Sequence, residues 1–124
     1  MSSLESKVYN ALSGTTALTV VVSSNIYPET RPQAAALPAV VFQRTGGLRV
    51  NSLQGYSGLE NAMVEVTVYA ASLDTRRQVG DLVISAMTSA TAFSCILPDA
   101  PADFYDDEVQ TYERNMTFSV WNRD

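Results

Sequence analysis

The 124-residue sequence predicts an α+β fold, a single domain in which a mostly antiparallel β-sheet carries its helices packed on one face. Three stretches predict it. Residues 60–71, ENAMVEVTVYAA, alternate: Ala62, Val64, Val66, Val68 and Ala70 share one side, and Met63, Glu65, Thr67 and Tyr69 the other. That is the pattern of a long strand with one face in a core. Residues 112–121 repeat it, with Tyr112, Arg114, Met116, Phe118 and Val120 opposite Glu113, Asn115, Thr117, Ser119 and Trp121. Between them, Val79, Leu82, Val83, Ala86, Met87 and Ala90 keep the i, i+3, i+4, i+7 spacing of a helix whose apolar stripe must pack on a sheet.

The other elements follow in chain order. Ser2 and Glu5 have capping-box spacing, and Leu4, Val8, Ala11 and Leu12 recur on one helical face, so a helix runs from Ser3 to Leu12 and stops at Gly14. Residues 16–22, TALTVVV, are β-branched but short and follow a helix stop; they read as a second short helix. Pro28, Pro32 and Pro38 fix their own φ and push Tyr27, Arg31 and Leu37 toward extended backbone, which makes residues 26–38 a stiff extended loop.

Ala39–Arg44 has strand composition, with Val40 and Phe42 on one face and Val41 and Gln43 on the other. Gly46-Gly47 marks a bulge or bend before Leu48–Val50. Residues 51–58, NSLQGYSG, have the composition of a flexible connection or hairpin tip. Asp74 is placed to cap the long helix. Phe93–Leu97 reads as a strand, and residues 98–108, PDAPADFYDDE, with two prolines and five acids, as a loop.

Composition excludes most chemistry. With 46% hydrophobic and 17% charged residues the chain is globular, and one domain over residues 1–124 buries roughly two thirds of its unfolded surface. There is no histidine, so neither a Ser-His nor a Cys-His pair nor the usual zinc or haem ligation can be assembled. The single cysteine, Cys95, sits among Phe93, Ile96 and Leu97 and reads as core filler. Gly46-Gly47, Gly55-Tyr-Ser-Gly58 and Arg76-Arg77 match no phosphate loop or nucleic-acid stripe. No catalytic, cofactor-binding or metal-binding residues are assigned; the expectation is a protein that is not an enzyme and uses no cofactor. Near the amino terminus no cationic opening precedes a long apolar stretch, and Val20–Val22 is too short for a membrane span, so cytoplasmic assembly with no membrane partner is expected.

Charge is divided along the chain. Residues 1–59 carry Lys7, Arg31, Arg44 and Arg49 against Glu5 and Glu29. From residue 99 onward Asp99, Asp103, Asp106, Asp107, Glu108, Glu113 and Asp124 face only Arg114 and Arg123, within a net charge of −5. That division suits head-to-tail docking of copies. The acids at 99–108 lack the frame of a calcium loop. They read either as a solvated loop or, in a ring of several copies, as the lining of a passage that repels a phosphate backbone.

In order and spacing, the opening SLESKVYNALSG, the IYP…RPQAAALPAVVFQR segment, the GLENAMVEVTVYAAS strand, the VGDLVISAM helix and the closing FSVWNR resemble the tail terminator or tail completion proteins of long-tailed bacteriophages. The resemblance spans nearly the whole chain and implies a homo-oligomeric, hexameric ring with no enzyme activity. Such a ring caps the completed tail tube protein assembly, stops its polymerisation and presents a docking surface to the head-tail connector or stopper protein, while DNA passes through without specific binding. It implies a place in the virion, at the head-proximal end of the tail. On that expectation Tyr27, Pro28, Arg31, Pro32, Arg44 and Arg49 form a subunit or partner interface, and Asp103, Asp106, Asp107 and Glu108 face the lumen or a neighbouring subunit. A head-completion or stopper protein is the nearest alternative. A small ligand-binding or enzymatic domain is the alternative of another class, and the lack of histidine weighs against it.

Overall fold

Phe118, on an alternating strand, and Val66, on the strand beside it, lie at the centre of the core and are fully buried. The computed structural model describes residues 4–23, 25–28, 36–52 and 55–123. The described residues form helices α1 (Leu4–Ser13), α2 (Thr16–Val22) and α3 (Leu73–Thr88), and strands β1 (Ile26–Pro28), β2 (Ala39–Ser52), β3 (Gly55–Ala70), β4 (Ser94–Ile96), β5 (Ala102–Asp106) and β6 (Thr111–Arg123). One sheet holds all six strands in the order β1-β2-β3-β6-β4, with β5 also on β6. β4 covers residues 119–121 of β6 and β5 covers residues 111–115, so two short strands share that edge. Every pairing is antiparallel except β1 with β2. This is the α+β arrangement the sequence predicts.

The alternation in β3 places Ala62, Val64, Val66, Val68 and Ala70 inside, beside Met116, Phe118 and Val120 of β6 and Val40 and Phe42 of β2. Leu4, Val8 and Leu12 of α1, Leu18 and Val22 of α2, and Val79, Val83, Ala86 and Met87 of α3 close over that face. Burying one such side chain stabilises the fold by about 1.5–3 kcal/mol. The opposite face of the sheet is mixed, and polar pairs cross it between Met63, Tyr69 and Trp121: Gln43 Nε2 donates to Glu65 Oε1 at 3.2 Å, Asn115 Nδ2 to Thr67 Oγ1 at 3.2 Å, and Asn61 Nδ2 to Ser119 Oγ at 2.9 Å. A chain with alternating faces meets water on one side only, and these cross-strand pairs replace the side-chain partners water would provide.

Helix ends explain the local breaks. Gly14 N donates to Asn10 O at 2.8 Å, and a Cβ at Gly14 would come within 2.7 Å of that oxygen, so the turn that stops α1 favours a residue without a side chain. Thr15 Oγ1 takes up the Ala11 carbonyl at 2.9 Å. At α3 the cap is Ser72, not Asp74: Ser72 has extended φ and ψ of −144° and 159°, and its Oγ accepts from Thr75 N at 3.2 Å. Asp74 lies inside the first turn, where its charge favours the positive end of the helix.

Two segments differ from the sequence reading and two bear it out. Residues 26–28 form a strand paired to β2, within the span read as an extended loop. β2 runs to Ser52 and β3 begins at Gly55, so the described part of 51–58 falls at the end of the β2–β3 hairpin, as read, with Asn51 paired to Tyr56 and Ser52 to Gly55. Cross-strand hydrogen bonding there overrides weak strand propensity. The bulge read at Gly46-Gly47 is present: the β2 register shifts between Arg44 and Gly46, leaving Thr45 as the extra residue just ahead of the glycine pair, and shifts again between Val50 and Asn51. Residues 102–106 of the acid-rich loop are strand β5.

Phe118→Ala should destabilise the protein by about 3–5 kcal/mol, read as a lower urea midpoint. Gln78→Ala on the exposed side of α3 should stay within about 0.5 kcal/mol of the parent. Equal midpoints for the two variants would contradict this placement of the core.

Candidate functional site

The two edges of the sheet are unlike, and the charged residues gather at them. At the β5 edge, register pairs Asp103 with Arg114. Arg114 extends Met116, Phe118 and Val120 toward the helices, so a guanidinium enters an apolar face with its side chain only 14% exposed and requires a carboxylate. Asp103 supplies it in a two-pronged contact: Arg114 Nε donates to Oδ1 at 2.8 Å and Nη2 to Oδ2 at 3.3 Å. Asp81 of α3 adds a weaker contact at 3.8 Å. Gly80 makes room, since a Cβ there would lie 2.8 Å from Cδ and Nη1 of Arg114.

Arg76, also on α3, reaches Asp103 Oδ2 at 3.5 Å and donates from Nη1 to the Phe104 carbonyl at 3.2 Å. Its guanidinium lies 5.6 Å from the centroid of Tyr112, which in turn packs on Tyr105 at 4.6 Å. β5 is thereby fastened to both β6 and α3. The hydrogen bond from Arg114 holds the Asp103 carboxyl below the usual carboxylate range, and the same pairing pushes Arg114 up.

After β5 the chain turns through residues 107–110. Glu108 N donates to Asp106 Oδ1 at 3.0 Å, and Gln110 takes a left-handed φ of 51°. Asp107 and Glu108 are exposed, Asp106 is half-buried, and Val109 at the tip is 61% exposed. The structure thus separates the predicted acids: Asp103 is ion-paired within the chain, while Asp107 and Glu108 point to solvent.

At the opposite edge, β1 lies on β2 with Tyr27 opposite Val41 and Pro28 opposite Phe42. Strand alternation sends the two predicted neighbours to opposite faces. Tyr27 Oη donates to Asn25 Oδ1 at 3.1 Å; Asn25 in turn bonds the Ala36 and Pro38 carbonyls, tying the end of the proline-rich segment to the start of β1. Pro28 lines two adjoining hollows of about 340 and 210 Å³, which share Glu5, Pro28 and Phe42. Tyr9 walls one of them, its ring 6.4 Å from Phe42, and exposed Arg44 walls the other. Arg49 pairs with Glu60 in the β2–β3 ladder, its side chain outside the described residues, as are Arg31 and Pro32 entirely.

Sequence reading missed Arg114 and Arg76 as the residues that hold β5, and Tyr9 and Glu5 as walls of the groove. One signal was present, since Arg114 breaks an otherwise apolar face. The groove had none, because it forms only where α1 meets β1. Among the described residues no group of three acids or cysteines is placed to hold a metal ion, and no helix is long and apolar enough to cross a membrane.

A family model described as tail completion protein gp17 matches residues 6–123. No curated protein matches the chain. Among solved structures, a chain from the virion of a native gene transfer agent (GTA) particle is similar in fold, with a TM-score of 0.78 and 14% identity; the match covers 98% of this chain and 95% of that one.

Two outcomes follow from the site. Asp103→Asn should lower stability at pH 7 by about 1 kcal/mol or less, the range for a partly solvated ion pair. Because the folded state depresses the Asp103 pKa, its contribution is present above the ordinary carboxylate pKa and lost as pH falls through the lower folded value. Parent and variant urea midpoints should therefore converge as pH falls below 4, and a gap that widens would contradict the pairing. Burial pushes the Cys95 thiol up to about 11. A maleimide at pH 7.5 should label it far more slowly in the folded protein than in urea, and equal rates would contradict its placement.

Proposed function

From the premise that the chain belongs to the tail completion protein gp17 family, and so fills a structural tail-completion role, we propose that it works as a homo-oligomeric, hexameric ring. The ring caps the tail tube, stops its polymerisation and offers the head-side connector a docking surface. The observation that carries the ring is the difference between the two sheet edges: a groove with Arg44 at one, an acidic turn at the other. A cyclic assembly above the dimer joins unlike patches head to tail, and edges of different shape, one with an acidic turn and the other with Arg44 beside Glu5, suit such closure. Acids left unpaired inside the ring would let DNA pass without adhering. No chemistry is required of the subunit, and its place is the head-proximal end of the virion tail.

Electron microscopy of particles made without the protein tests the role. Abnormally long or headless tails are expected; normal tails beside leaking heads would instead place the protein in the connector. Light scattering tests the charge pairing. The oligomer should lose mass between about 0.1 and 1 M salt, as the Debye length falls from roughly 10 to 3 Å, and an oligomer indifferent to salt would remove charge pairing as what holds it.

A further inference from the structure

We propose that the turn following β5 in one copy seats in the groove beside β1 of the next, with Val109 entering between Tyr9, Pro28 and Phe42 while Glu108 meets Arg44. The inference rests on the ring proposed above and names the contact that closes it. Val109 is an apolar side chain 61% exposed on a turn otherwise made of acids and an amide. An apolar tip with a charged collar is how a small knob docks into a hollow of matching rim.

The groove offers both an apolar wall and charge. Glu5, Pro28 and Phe42 are common to its two hollows, while the Tyr9 ring, 41% exposed, walls one and Arg44 walls the other. Glu5 repels an acid and attracts an amide donor, whereas Arg44 does the reverse. The turn offers Glu108 on one side of Val109 and Gln110 on the other, so setting Glu108 toward Arg44 and Gln110 toward Glu5 puts unlike groups together.

The turn is also ready to bind. Glu108 N is already bonded to Asp106, and β5 is held by Asp103 to Arg114 and Arg76, so little chain freedom is lost on docking. The groove flanks β1 and the turn follows β5, which are opposite edges of one sheet, so the contact joins unlike patches head to tail and closes as a ring where its rotation divides the circle.

Site-directed cross-linking tests the contact. In a Cys95→Ala background, Tyr9→Cys and Val109→Cys are combined, and a short bis-maleimide is added to the oligomer in solution and to purified tails. A ladder of covalent multiples ending at the ring size is expected on denaturing gels, with each single-cysteine chain staying monomeric. Asn10→Cys with Val109→Cys, which leaves the Tyr9 ring in place, should give the same ladder. An intact oligomer that yields no ladder with either pair overturns the contact and leaves the ring standing. Linkage to a tail-tube subunit overturns it by placing another protein in the groove. Absence of any oligomer, both in solution and on tails, overturns the ring and the contact together.

Discussion

The burial of one face of β3 is the constraint on which the rest depends. Its side chains alternate with period two, so a slip of one residue against either neighbour would turn Val64, Val66 and Val68 to solvent and bring Glu65 and Thr67 inward. Each buried valine is worth about 1.5–3 kcal/mol, so turning three of them out costs about 4.5–9 kcal/mol, comparable with a domain's whole net stability of about 5–15 kcal/mol even before the burial of Glu65 is counted. The registers of β2 and β6 are fixed by that penalty, and α3 completes the core by covering the same face. Only after these are set do the edges acquire defined positions.

The Asp103–Arg114 pair matters through position more than through stability. With Asp103 38% exposed, the pair contributes about 1 kcal/mol or less, small beside the core. Yet Arg114 issues from the β6 register, and Arg76 and the gap at Gly80 issue from α3, so one carboxylate senses strand and helix together. A β5 strand with four of its five residues exposed has little apolar area with which to hold itself. Fixing it by ionic contacts sets where residues 107–110 emerge, and the energy of the core is thereby converted into the placement of a surface turn.

What the sequence discloses follows from where the information lies. β3, β6 and α3 are legible because each carries a periodic stripe set by its own burial, and α1 and α2 because Gly14 separates them. β1 and β5 are illegible because strands of three and five residues exist only through their partners, and β5 carries acids that local propensity assigns to a loop. Ser72 and Asp74 are both competent caps, and only the extended backbone of Ser72 decides between them. At the site, charge division along the chain anticipates two unlike ends. It does not tell that Asp103 is consumed internally, because that depends on Arg114, eleven residues away, arriving opposite it.

Short edges also bear on how copies meet. A long, flat edge strand invites backbone pairing, which is tolerant of register and propagates into open fibres. Here β1 covers only residues 40–42 of β2, the rest of β2 is broken by register shifts between Arg44 and Gly46 and between Val50 and Asn51, and the far edge is split between β4 and β5, so neither side offers a long flat ladder among the described residues. In the proposed ring, side-chain contacts, whose geometry fixes orientation, are then favoured over backbone pairing. A head-to-tail contact repeated with one fixed rotation closes when that rotation divides the circle and otherwise winds into a filament. The rotation is built from the twist of the sheet between its edges and from the angle at which the turn leaves β5. In a subunit that works as a ring, the Arg114 and Arg76 contacts holding that angle therefore bear on ring size, through geometry that binding strength alone does not set.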